Sequence, residues 1–424
     1  MRSIPFNRVV TLLFLVWFSV AVPIASAQTL KQLAEVTTKN GASWDYMGQS
    51  VAVEGNILLV GVPHRTVAGN ILQGAVDVFS KPASGWQNMT QTGTLTLSDG
   101  VPYQTFGFSV AISGDTFVVG APNASGGCSS NPGAAYVFIR SGNQVQQVAM
   151  LTPSDNYSCN PFGTSVAISG NTIVVGSPFS GTDGSAYIFV EPAGGWQNMT
   201  ETAALTASDG NQSYSGFGTS VSIDGQTIVV GAPQQSFNGE AYVFVKPSSG
   251  WTDMTETAKL TASNGQYEDF FGFAVSVSGS TVLVGAPNKP IAKEYGAGYI
   301  FVEPSSGWVN ATETATLGAS DRVVGDMLGN SVLMVGNTAL LGAPCYTFSG
   351  APNPGAVYAY VEPASGWKTT SGFQKKFISS DGTNTDNFGS SIAMSGSTLV
   401  IGALQAHWVG FGTPGPGATY IFGR

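Results

Sequence analysis

Two histidines, three cysteines and a thin scatter of carboxylates are the residues of this 424-residue chain best suited to chemistry. An imidazole titrates near neutrality and ligates metals, so His64 and His407 could form a two-histidine metal or acid–base site. The plainer reading is two exposed loop histidines. Asp45, Asp269, Asp326 and Asp386 each stand two residues before an apolar-Gly pair: Met47-Gly48, Phe271-Gly272, Leu328-Gly329 and Phe388-Gly389. Set around a ring they would line a cation-binding mouth; kept in their own turns they would accept backbone amides. Asp99, Asp155, Asp209, Asp321 and Asp381, in Ser-Asp turns, pose the same choice. A glycosidase needs one facing carboxylate couple, and carboxylates repeated along the chain single out none. There is no G-x-S-x-G elbow, and the glycine-rich turns lack the lysine and helix of a phosphate loop. No cofactor is implied.

The aromatic residues divide into two sets. Phe106, Phe162, Phe217, Phe271 and Phe388 recur in register, as do Tyr136, Tyr187, Tyr242, Tyr299, Tyr358 and Tyr420, and Trp86, Trp196, Trp251, Trp308 and Trp367. In-register rings read as packing. Trp44, Tyr46, Tyr103, Trp408 and Phe411 fall outside that register, in loops.

The elements that must position these residues come from a repeat. An apolar-Gly pair ends at Gly48, Gly107, Gly163, Gly218, Gly272, Gly329 and Gly389, units that recur every 54 to 60 residues. Seven residues on stands a turn glycine (Gly55, Gly114, Gly170, Gly225, Gly279, Gly336, Gly396). Thirteen residues on stands the glycine of a Gly-Ala-Pro-like triplet (Gly61, Gly120, Gly176, Gly231, Gly285, Gly342, Gly402). A fixed period marks one supersecondary unit that needs its neighbours. Each unit reads as four strands: two joined by a tight Gly-centred hairpin, a Gly-x-x-Tyr-x-Phe strand, and a more polar strand entered through Gly-Trp. The second and third strands are continuously apolar and β-branched, which predicts sheets covered on both faces. The polar fourth strand suits an outer rim meeting water. Small residues two positions after the first glycine, such as Ser109 and Ser165, suit inner strands crowding a central channel.

The ends predict how the stack closes. The seventh unit stops after its third strand, Ala418 to Phe422, while an orphan segment, Leu30 to Thr37, precedes the first. The N-terminal strand is therefore expected to complete the last sheet and lock a ring, leaving no unpaired edges.

These motifs resemble the FG-GAP repeats of the integrin α-subunit propeller, and more closely those of secreted bacterial FG-GAP repeat proteins. The likeness covers residues 28–424 and implies an all-β, seven-bladed β-propeller with four-stranded blades, used for adhesion or ligand binding. One departure matters. Integrin-like repeats often hold calcium in a carboxylate-rich loop between the Phe-Gly and Gly-Ala-Pro strands. Here that place holds Ser113-Gly114-Asp115-Thr116 or Ser278-Gly279-Ser280-Thr281, too short and too weakly charged for the six to eight oxygens that calcium takes. No metal ligand carries over.

Residues 1–27 are expected to be a signal peptide: Arg2 and Arg8, an apolar run from Val9 to Val22, and Ala25-Ser26-Ala27 before Gln28. The mature chain would be secreted or periplasmic, with no membrane insertion after cleavage, and a monomer. Lys and Arg total 16 against 25 acidic residues and form no basic run, so nucleic acid is not an expected partner. Of three cysteines, Cys128 and Cys159 fall in loops of neighbouring blades on one face and are expected to pair. Cys345, four blades away, stays reduced. Six Asn-x-Ser/Thr sequons occur, at Asn88, Asn123, Asn156, Asn198, Asn211 and Asn310.

The favoured function is non-catalytic binding of an extracellular glycan or protein ligand. The alternatives are a polysaccharide-active enzyme, lyase-like, on a propeller scaffold and a structural extracellular matrix or wall component. Loops between second and third strands vary in length while the first hairpins never do, which places binding on that loop face. The longest such loop, Gln405 to Pro416, carries His407, Trp408 and Phe411; with His64, Trp44 and Tyr46 these converge on the seam between the last blade and the first.

Overall fold

The Phe-Gly glycine and the Gly-Ala-Pro glycine are the two residues from which the architecture follows. In a computed structural model, which describes residues 29–123, 133–155, 160–181, 183–210, 215–289, 295–344, 354–383, 385–407 and 413–424, every Phe-Gly glycine has positive φ, from +91° to +97°. Its amide donates to the carbonyl of the Gly-Ala-Pro glycine of its own blade, as from Gly107 to Gly120 at 3.1 Å. Its carbonyl lies against the Gly-Ala-Pro glycine of the preceding blade. A Cβ on Gly61 would stand 2.0 Å from the oxygen of Gly107, and one on Gly176 2.0 Å from that of Gly218. The series closes on itself, for a Cβ on Gly402 would stand 2.2 Å from the oxygen of Gly48.

Between the two glycines lies the first hairpin. In the third blade Ser165–Ser169 pairs with Thr172–Ser177 around Gly170-Asn171. Gly170 has φ +57° while Asn171 is not left-handed, the pattern of a II′ turn, whose twist suits paired strands. Ser185–Val190 and Ala203–Thr206 add outward in antiparallel order. Among the described residues the strands form seven such sheets. The last contains Phe388–Ser395, Thr398–Ala403, Ala418–Gly423 and then the N-terminal strand Lys31–Thr37, paired from Lys31↔Gly423 to Val36↔Thr419. The expected closure is what the molecule has.

Among the described residues the apolar side chains form no single core but gather into seven clusters, each drawn from two neighbouring blades, including one that joins the first blade to the last. The Phe-Gly phenylalanines pack edge-on against the tyrosine and phenylalanine of their own third strand, as Phe106 does with Tyr136 at 5.7 Å and Phe138 at 5.9 Å. The five register tryptophans are buried at the blade interfaces.

Two expectations need correction. The small residues after Phe-Gly do more than relieve crowding. The hydroxyls of Ser50, Ser109, Ser165, Ser331 and Ser391 donate to the Phe-Gly glycine carbonyl of the next blade, a bond carried around the closure by Ser391 to Gly48 at 2.7 Å. The outer strand is also not a bare rim. The Gly-Trp segment of one unit reaches back and adds a short parallel strand to the blade before it: Met89–Thr90 on the last blade, Met254–Thr255 on the third, Ala311–Thr312 on the fourth. Asn88, Asn198 and Asn310 are the latch residues; each side-chain oxygen accepts an outer-strand amide, from Glu35, Met150 and Lys259. Three of the sequons are thus blade-to-blade contacts. The second blade joins its outer strands, Ala134–Ser141 and Gln144–Leu151, by a tight turn instead. Having no Gly-Trp segment there, it leaves the outer strand of the first blade, Gly93–Leu95, beside a groove of about 380 Å³.

Gly176→Ala is expected to cost about 3 kcal/mol or more, because its methyl group would meet backbone on the next blade. Gly194→Ala, with nothing nearby and an ordinary φ, should be near neutral; urea unfolding of the two variants measures the difference. Deleting residues 28–40 removes the buried Leu30, Ala34 and Val36 together with a ladder, and should cost roughly 5 kcal/mol or more. A truncated chain that melts like the intact one would contradict the closure.

Candidate functional site

The turn that enters four of the blades is a built device. Asp45, Asp269, Asp326 and Asp386 accept the amides of Ala42, Gln266, Val323 and Thr383 at 2.5 to 2.9 Å, and all four are buried. They therefore serve their own turns and do not form a cation mouth. Asp269 is also paired with Lys289 at 2.7 Å. Two of the Ser-Asp turn carboxylates are likewise structural, receiving the tyrosine hydroxyl of the blade they lead into: Tyr187 on Asp155 at 2.5 Å, Tyr242 on Asp209 at 2.9 Å.

The same turn forces left-handed backbone on both sides of the aspartate. The residue before it has positive φ at Trp44, Glu268 and Thr385, and so has Tyr103, which precedes Gln104 at the equivalent place. The residue after it does too, at Tyr46, Phe270, Met327 and Asn387. Side chains other than glycine rarely hold that conformation, and the aspartate bond over-determines it here. Trp44 and Tyr103 are thus repeat positions after all. What sets them apart is the side chain: aromatic and about half exposed (48% and 46%), at a rigid turn tip.

Trp44 meets Tyr46 edge-on at 6.0 Å between ring centroids, and Tyr46 meets His64 at 4.6 Å. The His64 ring is bonded to the Trp44 backbone, and burial pushes its imidazole below the ordinary value of about 6.5. It is neutral at pH 7, a hydrogen-bonding ring and not a cation. Beside it, Arg65 makes a two-pronged bond to Asp77 at 2.7 and 2.8 Å, reaches the Thr38 hydroxyl, and lies 4.0 Å from Asp45. Asp77 occupies the third-strand place that tyrosine fills in the other blades, and it is fully buried. Its charge claims the guanidinium, which is therefore spent inside the molecule.

The structure joins Trp44, Tyr46 and His64. His407 lies across the closure, paired with Glu35 and not with His64, so the two histidines form no joint site. Trp408 and Phe411 lie outside the described residues, as do residues 1–27, Cys128, Cys159 and Cys345, and Asn156 and Asn211. Sequence reasoning missed Phe179, Phe237 and Tyr267. All three are at least half exposed, and Phe237 stacks on Tyr267 at 5.7 Å. The absence of these rings from the register was the available signal. Among the described residues the exposed aromatics are Trp44, Tyr103, Phe179, Phe237 and Tyr267. All five lie on the face formed by the second-to-third-strand loops and the links between blades. The hairpin face has none among the described residues.

Seven four-stranded sheets, closed by a strand from the opposite end of the chain, define a β-propeller. The FG-GAP repeat model matches residues 89–138, 145–189, 199–244, 254–301, 311–360 and 372–422, and the chain belongs to that family. Each matched window runs through a third strand, and the first blade stands largely ahead of the first window. Comparison with curated proteins returns no match. No helix among the described residues is long and apolar enough to cross a membrane.

Because His64 is held neutral, acid should loosen its turn. Its folded-state pKa is depressed, so its contribution is complete above the unfolded value of about 6.5 and is lost as pH falls through the folded value. Tryptophan fluorescence of Trp44 should change over that interval in the native protein, and His64→Gln should abolish the change.

Proposed function

We propose that the chain is an exported, non-catalytic binding propeller, adhesion-like in role, that seats an extracellular glycan or protein ligand on its loop face. The observation that carries this is the one-sided distribution of exposed rings. A ring held at a turn tip gives flat apolar area at little conformational cost, suited to a sugar face or to a partner's side chains. Trp44, Tyr46 and His64 make the densest part of that face, with a neutral imidazole as polar handle. The propeller frame supplies rigidity, so binding does not pay for ordering the tips.

A lyase reading would ask for a free arginine beside a base and a tyrosine. Tyr46, His64 and Arg65 are neighbours, which gives that reading its one support. The commitment of Arg65 to buried Asp77 removes the cation such a reaction needs. Binding is therefore the better account.

Trp44→Ala combined with Tyr103→Ala should weaken binding at least about tenfold for a ligand found on a glycan array or by capture of cell-surface proteins, with little change in melting temperature. Unchanged binding with a large fall in stability would show that the rings are packing. A parallel assay for eliminative cleavage of acidic polysaccharides, positive in the parent and lost in His64→Gln, would instead favour the lyase.

A further inference from the structure

At the outer corner of every blade but the first, the third-strand tyrosine faces a residue of its own fourth strand, and in several a carboxylate from the preceding link closes in. In the second, third and fifth blades that residue is uncharged, Met150, Ala204 and Thr316, and in two others it is a lysine. Opposite Tyr242 stands Lys259, whose ammonium is 2.6 Å from Asp209 and 3.5 Å from Glu240. Opposite Tyr358 stands Lys376, 2.8 Å from Asp321 and 5.1 Å above the tyrosine ring. In both, a lysine answers the turn aspartate.

The last blade alone places an anion there. Opposite Tyr420 stands Glu35, and the turn carboxylate is Asp381. The place that supplies a cation in two other blades here supplies a second anion. His407, at φ +65° in the loop after Thr398–Ala403, turns into the same corner and its Nε2 meets Glu35 Oε1. One ligand atom from each of Glu35, Asp381 and His407 lies within 4.8 Å of the others. The buried hydroxyl of Tyr420 bonds Asp381 from beneath, and Asp386 adds further negative field. His407 is 42% exposed and Glu35 17%, so the corner opens to solvent and leaves room for water to complete a coordination shell.

We propose that Glu35, Asp381 and His407 form a site for a divalent cation of borderline softness, with Zn²⁺ as the representative. One imidazole and two carboxylates suit such an ion, and the imidazole argues against calcium, which takes oxygen alone. The three ligands come from the N-terminal strand, the link into the last blade and the loop of that blade, and Glu35 and His407 are 372 residues apart. A cation held there fastens the closing strand to the ring, and by mass action it stabilises the closed form. The site is unrelated to the calcium loops that the hairpins lack, and no local motif announces it.

The test uses the purified chain, stripped with EDTA, dialysed, and alkylated at its cysteines so that thiols cannot compete. Titration calorimetry with ZnCl₂ should show one equivalent bound and a raised melting temperature, with Ca²⁺ giving a much smaller shift. Glu35→Gln, Asp381→Asn and His407→Gln should each weaken zinc binding about tenfold or more. Glu35→Lys restores the lysine of the two other blades. It should abolish binding while the zinc-free variant melts at or above the parent temperature, which separates loss of the site from loss of the fold. Absence of binding at millimolar zinc, or binding unaltered in both His407→Gln and Glu35→Lys, would overturn the proposal.

Discussion

The molecule depends on a contact that no side chain could make. The Gly-Ala-Pro glycine of each blade touches the backbone carbonyl of the next blade's Phe-Gly glycine, at a separation that excludes even a methyl group. Because the contact is backbone on backbone, its geometry is the same wherever it occurs, whatever the surrounding sequence. Repeating one fixed geometry turns the chain by one fixed step, and after seven steps Gly402 meets Gly48. The serine hydroxyls reinforce the same carbonyls, and the interface clusters fill what lies outside them. Blade number, ring closure and the position of every loop descend from that approach.

How much of this was legible follows from where the constraint sits. Glycine leaves a mark in sequence wherever only glycine fits, so the spacing from Gly107 to Gly114 to Gly120 could be read directly as hairpin and contact. Closure was legible because a strand was missing at one end and surplus at the other. The latches were not. Asn88-Met89-Thr90 is two exposed polar residues about a half-buried methionine, and nothing local says that its partner is Val36, in the preceding blade. Nor could Trp44 be told from a stray ring until its φ placed it with Glu268 and Thr385. The corner of Glu35, Asp381 and His407 was least legible of all, since its three members come from separate segments and only the closed ring brings them together. His407 stands out as a rare residue type and Asp381 only as one of five like turn carboxylates, while Glu35 carries no mark of its own.

The rigid frame also explains why variation collects where it does. A side chain at a frame position is fixed by packing, and substitution there requires a matching change, as when Asp77 takes the tyrosine place and brings Arg65 with it. A side chain at a turn tip or a rim corner answers to no such demand. The backbone of the entry turn is held by its buried aspartate, or by Gln104 where the tip is Tyr103, so the tip can be tryptophan, tyrosine, glutamate or threonine without consequence for the fold. Chemistry can therefore change from blade to blade while the architecture does not.

The pairing of the two chain ends has a mechanical meaning. Lys31 lies against Gly423 and Val36 against Thr419, so the strands that close the ring both leave it from one corner. Tension applied between those ends would not shear the ladder, with all its hydrogen bonds loaded together. It would peel the ladder one bond at a time, beginning at Lys31, and pass Glu35 on the way. A pull carried through only one end would instead be shared with the Met89–Thr90 latch and the cluster beneath it. The ring is thus directional under load: it yields when its two ends are drawn apart and resists when either is drawn alone.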